Sequence, residues 1–360
     1  MSLPPGIPVP IGGIDRELGR LWEQSGDSTT RASLINLAVY SETPGSLPVN
    51  SETIRSIAGE HAMRAILVEA DPFAEGSSAE AWISMHCYPR GPKGGSVCSE
   101  QVSFRLAGEA ARSLQSVVFS HLDSDLPLAL WWQAPFRTPV EGKLWRWVDR
   151  LLFDSRTWED PAGQFAAVSS IATLAEARTV LCDLNWARSL PVRQALAGLF
   201  DAPGALGELP LVRELEITHA PESRTTALLL AGWIADRLGW RGTESAQNDP
   251  DPSRGGFTAP SGHPVSLILR ESGTKDSPSI ACLKLATENA CFEVRREEGT
   301  DHYVTSVSAS GSCDTGLCPT GRSVRAPREE TRATLLAELS RGGRHPLYVR
   351  AVKAVGSLWG

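Results

Sequence analysis

The constraint that most limits this chain is a strand, a helix and a second strand in immediate succession. Leu34–Tyr40 is a short, β-rich apolar run and reads as a buried strand. Ser51–Gly59 reads as a helix opening on Ser51 as its cap, and Ala65–Glu69 is the next strand. A strand–helix–strand unit of this kind favours a parallel pair. Ala81–Tyr88 and Val97–Leu106 are further strands, joined by Pro89–Ser96. Leu114, Val117, Val118, His121 and Leu122 share a helical face, and Pro127–Trp132 is again a strand. The spacing of Leu144, Trp147, Val148, Leu151 and Leu152 predicts one more helix.

The alternation resumes after Pro161. Phe165–Ala175 and Val192–Phe200 read as helices, Thr179–Asp183 and Val212–Thr218 as strands. Thr225–Trp240 is the clearest helix of this half, with Gly239 near its C-terminal end. Gly242–Gly256 reads as a loop, 264–310 as β-rich with two hairpin-like segments, and Thr331–Ser340 and Leu347–Val355 as closing helices. At 360 residues the chain is too long for one small core. The expected class is mixed α/β and α+β: two domains with mixed sheets flanked by helices. An N-terminal arm and helix occupy 1–30, an N-terminal α/β domain 31–160, and a C-terminal α/β domain 161–360.

Composition removes several partners. Lys and Arg total 35 against 42 Asp and Glu, and no dense basic run occurs, so nucleic acid and anionic membranes are not expected. The longest apolar runs, Leu126–Trp132 and Ala227–Ala235, are too short to span a bilayer. The first residues show no secretory pattern, and the expected location is the cytoplasm. Seven scattered cysteines without a Cys-x-x-Cys do not form a secreted disulfide framework or a common zinc site. Eleven tryptophans against four tyrosines point to large packed anchors or an interface.

No motif declares an active site. Gly91–Gly95 is glycine-rich and carries Lys93, but it joins two strands, so a hairpin loop fits better than a phosphate cradle. Neither dinucleotide nor P-loop glycine patterns occur, nor a serine elbow. His86, His121 and His219 lie far apart and read as structural. Cys87 faces Cys98 if the hairpin is symmetric; a metal clip or disulfide is conceivable there, and two packed free thiols are the simpler reading. Cys313 and Cys318 flank a turn and form a second candidate redox pair. Glu100 shares one strand parity with Cys98, Val102 and Phe104, which puts a carboxylate on the apolar face, where it either pairs with an arginine such as Arg64 or lies at the strand's wet end; a structural ion pair fits better than a catalytic acid. Trp131 and Trp132 point to opposite faces of their strand, so one can pack inside while the other serves as an interface anchor.

An ordered set of segments carries a family likeness. Thr30-Arg-Ala-Ser-Leu-Ile-Asn-Leu-Ala-Val39 is followed by His61-Ala-Met-Arg-Ala-Ile-Leu-Val68, Val97-Cys-Ser-Glu-Gln-Val102 and Asp125-Leu-Pro-Leu-Ala-Leu-Trp-Trp132. Asp149–Ser155, Asp183-Leu-Asn-Trp186, Val192–Ala197 and Leu229–Trp240 complete it. The set resembles the glucose-6-phosphate dehydrogenase assembly protein family, OpcA. It departs at His61-Ala62-Met63, where the family often has His-Pro, and at Pro191-Val192-Arg193, where it often has Pro-Trp-Arg. The resemblance implies a non-catalytic, cofactor-free factor that assembles and activates the oligomeric dehydrogenase and so supports NADPH supply. Trp131, Trp132 and Trp186 are the candidate partner-interface residues. The alternative is a sugar-phosphate-binding enzyme or metabolite sensor, with Arg31 and Arg64 receiving phosphate.

Overall fold

The computed structural model describes residues 5–25, 29–89, 95–137, 142–174, 178–201, 203–243, 254–273, 278–309, 321–326 and 330–358. The chain divides into two compact units, each discontinuous in sequence. The first comprises Met1–Phe153, Ala167–Cys182 and Thr331–Arg344; the second comprises Asp154–Ala166, Asp183–Glu330 and His345–Gly360.

The first unit is built on β1 (Ile7–Val9), β2 (Thr29–Arg31), β3 (Ile35–Ser41), β4 (Met63–Asp71), β5 (Ser78–Pro89), β6 (Ser96–Ala107), β7 (Leu128–Trp132), β8 (Arg150–Phe153) and β9 (Val180–Asp183). They lie in the order β1-β5-β6-β4-β3-β7-β8-β9, with β2 beside β6. The strands from β6 to β8 pair in parallel. Counted along the chain, the run from β6 to β9 has the order third, second, first, fourth, fifth, sixth, which is that of a doubly wound sheet. β3 and β4 are buried almost throughout, which is why both read as continuous apolar runs. Helices α1 (Ile14–Gln24) and α2 (Ser46–Ala58) belong to this unit.

Two expectations are corrected here. α2 begins at Ser46 rather than Ser51, behind a left-handed Gly45. Pro48 is tolerated because its missing N–H falls in the first turn, where no helical bond is due. The helix expected across Leu144–Leu152 is only a turn, Gly142–Trp145, followed by β8. Asp149 draws the chain alongside β7: its N–H donates to Leu128 O at 2.9 Å, and its carboxylate accepts from Leu128 N at 2.8 Å.

The second unit holds β10 (Glu214–His219), β11 (Arg241–Gly242), β12 (Arg254–Thr258), β13 (Pro264–Glu271), β14 (Ile280–Ala286), β15 (Ala290–Arg296), β16 (His302–Ala309) and β17 (Ser323–Arg325). Their order is β11-β12-β13-β10-β14-β15-β16-β17. β10 and β13 are parallel and the other pairs antiparallel. Alternation is clean: Leu215, Ile217, Leu267, Leu283, Leu285 and Val294 are buried, while Glu216, Arg270, Lys284 and Glu293 take the opposite parity. Helix Arg224–Leu238 lies against Pro346–Ala354 at Gly232, where a Cβ would come within 2.2 Å of Ala351 O. Gly239 ends that helix in the left-handed conformation, as its position near the C-terminus leads one to expect.

Candidate functional site

Glu100 projects from β6 into the interior, with its side chain only 1% exposed. It accepts from the Trp22 indole N–H of α1, from Arg31 of β2 at 3.0 Å, and pairs with Arg64 of β4 at 3.3 Å. The strand register dictates the last contact, because Arg64 and Glu100 are direct partners across β4 and β6. Both arginines therefore face a carboxylate, Arg64 almost wholly buried and Arg31 49% exposed. Burial lowers the pKa of neighbouring His121, with Asp15 opposing the shift and Arg64 assisting it.

The tryptophan expectations need correction. Trp131 and Trp186 are only 6% and 2% exposed and lie in the cores of their units, where neither can present a face to a partner. Trp186 packs against Tyr348, and the Arg193 guanidinium stacks 3.7 Å from its ring centre. Trp132 is half-buried, stacked on Tyr40 at 4.2 Å and edge-on to Trp145 at 5.2 Å.

The cysteines differ from the simpler reading as well. Cys87 and Cys98 are joined in a disulfide, because the β5–β6 register makes them direct partners with Cα atoms 4.1 Å apart. Cys291 is also disulfide-bonded. Cys313 and Cys318 lie outside the described residues, as does most of the Gly91–Gly95 loop. Cys182 and Cys282 form no disulfide, and burial pushes each thiol up to about 12, which makes them poor nucleophiles. His86 meets Gln101 at 2.9 Å and His219 meets Ala220 O at 2.7 Å, so each has a structural partner.

Two arrangements escape sequence reasoning. The first is at the switch point of the doubly wound sheet, the C-terminal ends of β3 and β7, where folds of this order bind ligands. There the Glu69 carboxylate, from the end of β4, accepts from Leu47 N in the first turn of α2 at 2.9 Å. Arg105 holds its other oxygen at 3.0 Å. Asn50 of α2 and Gln133, just past β7, exchange two amide hydrogen bonds of 3.0 and 2.9 Å. Arg137 pairs with Glu42, and Tyr40 donates to Glu42 at 2.8 Å.

The second arrangement lies in the other unit. Asp183 is fully buried and accepts from Ser155 Oγ at 2.6 Å, Ser155 N at 3.1 Å and Asn185 N at 3.0 Å. Asn185 donates to Ser155 Oγ and accepts from Thr226 at 2.6 Å. Burial pushes the Asp183 carboxyl up to about 7, against the opposing pull of its hydrogen-bond donors. Arg188 is engaged by the neighbouring Asp154 at 2.7 Å.

Two family models match the chain, one after the other. Residues 54–170 match the N-terminal domain of a glucose-6-phosphate dehydrogenase subunit, and residues 179–352 match the C-terminal domain. Between them they cover most of the sequence, and the chain belongs to the family that the pair describes. Its curated relatives carry the particular name. It is 27% identical, over 80% of its length and 66% of the relative's, to an OxPP cycle protein OpcA of Synechococcus elongatus. It is 25% identical, over 40% of its length and 30% of the relative's, to an OpcA of Synechocystis. The chain thus matches two thirds or less of the length of these relatives. An aldose-aldose oxidoreductase from Caulobacter crescentus superposes over 90% of this chain and 96% of its own, at 11% identity and a TM-score of 0.45. That likeness is too distant to bear on chemistry. Among the described residues no helix is long and apolar enough to cross a membrane.

Proposed function

We propose that this protein is a non-catalytic, cytoplasmic assembly factor that binds glucose-6-phosphate dehydrogenase and activates its oligomer, supporting NADPH supply through the oxidative pentose phosphate route. The observation that carries this reading is the consecutive match of both halves of the chain to the two domains of the dehydrogenase-subunit family. The internal pairing of Arg31 and Arg64 with Glu100 supports it over the sugar-phosphate alternative.

Activation by binding requires that the factor hold the competent oligomer more tightly than the incompetent one, since equal affinity shifts nothing. Size-exclusion chromatography with light scattering on the mixed proteins tests the association. The expected result is co-elution at micromolar concentration, with a shift of the dehydrogenase to a defined larger species. Separate elution with an unchanged dehydrogenase oligomer would remove the proposal.

A further inference from the structure

In doubly wound sheets of this order a dinucleotide lies across the switch point, with its pyrophosphate at the N-terminus of the helix that follows the first strand. Here that strand is β3 and that helix is α2. A phosphate needs a glycine-lined turn, so that backbone N–H groups can approach it. The turn here is Glu42-Thr43-Pro44-Gly45, with an acidic residue, a proline and a single glycine.

The position at the end of the second strand usually reaches the ribose with an acidic side chain. In this protein Glu69 occupies that end of β4 and turns onto α2 instead. Its carboxylate accepts from Leu47 N at 2.9 Å and lies 3.5 Å from Ser46 Oγ. It supplies the negative charge that the helix dipole favours. Across the same crevice the reciprocal Asn50–Gln133 amide pair bridges the first two turns of α2 to the end of β7. A pyrophosphate entering here would meet the Glu69 carboxylate in its own seat and Glu42 beside it.

We infer that the switch-point crevice is closed against dinucleotides by the chain's own side chains, with Glu69 holding the α2 N-terminus in place of a phosphate. The residues do not fit the cofactor that the strand order implies, and the unit keeps the sheet as a scaffold. This inference is independent of the dehydrogenase reading.

Isothermal titration of the full chain with NADP+, NAD+ and inorganic pyrophosphate tests it. The wild-type protein should give no saturable binding through the millimolar range. Glu69→Ala, which empties the seat and leaves Arg105 with Glu80 alone at 3.3 Å, should acquire pyrophosphate binding at least roughly tenfold tighter than wild type. Glu69→Gln keeps an oxygen for Leu47 N and removes only the charge, so it gives the same direction of change if the alanine variant does not fold. Micromolar dinucleotide binding by the wild type would overturn the inference. So would folded Glu69 variants, verified by circular dichroism, that bind pyrophosphate no better than wild type.

Discussion

Glu100 and Glu216 are both strand glutamates flanked by two cations, and they differ in burial, with side chains 1% and 15% exposed. Glu100 lies on the buried parity of β6, between Arg31 and Arg64, where β6 pairs in parallel with β4 and antiparallel with β5. Glu216 lies on the outward parity of β10, 2.7 Å from Arg270 and 3.8 Å from Lys284, and Arg270 is 60% exposed. A carboxylate that is almost wholly buried must carry its counter-charges inward with it. On the outward parity of β10 the ions pair beside water. The lesson is that a glutamate between two cations stabilises little or much according to how far it is buried.

Removing Glu100 should produce the largest effect. Glu100→Ala leaves the buried Arg64 guanidinium with only the exposed Asp15 carboxylate at 4.0 Å, and the Trp22 indole without its acceptor. The loss should be about 3–5 kcal/mol, read as a shift of the urea unfolding midpoint. A loss no greater than that of a surface pair would break the comparison at its stronger side.

Asp183 sharpens it, because this buried carboxyl has only neutral donors. Its folded pKa is raised to about 7, while an unfolded aspartate ionises near pH ~4. Between those values the folded state holds a proton that the unfolded state releases. The contribution to stability is therefore full below the unfolded pKa and is lost as pH rises through the window. The slope reaches at most about 1.4 kcal/mol per pH unit. Asp183→Asn should flatten this dependence in urea titrations at pH 4 to 7; identical slopes in the two proteins would contradict the assignment.

The smallest effect is expected at Glu216→Gln, within about 1 kcal/mol and weakened by salt, since the pair is screened beside solvent. A loss comparable to that at Glu100 would show that this sheet face is covered in solution.

How much of this was legible beforehand follows from the same distinction. β3 and β4 were readable because burial on both faces writes a continuous apolar run. Glu100 was readable because a carboxylate breaks the apolar parity of its strand, and Arg64 was a nameable partner. Glu69 was not, because an acidic residue closing a strand looks like any solvated terminus. Its role emerges only once strand order brings β4 and α2 to the same end of the sheet. The Leu144–Leu152 stretch misled because its apolar spacing suits a helix, while a non-local bond from Asp149 to Leu128 decides for a strand. Trp131 and Trp186 misled because abundance of tryptophan says nothing of exposure.

The central claim, a chain that acts by binding and not by turnover, is tested most directly by initial rates of NADP+ reduction with glucose 6-phosphate in three samples: the chain alone, the dehydrogenase alone, and the two together. The account predicts no rate from the chain alone, and a mixture faster than the dehydrogenase or half-saturated at lower substrate. Turnover by the chain alone, or a mixture indistinguishable from the dehydrogenase at micromolar concentrations of both, would contradict it.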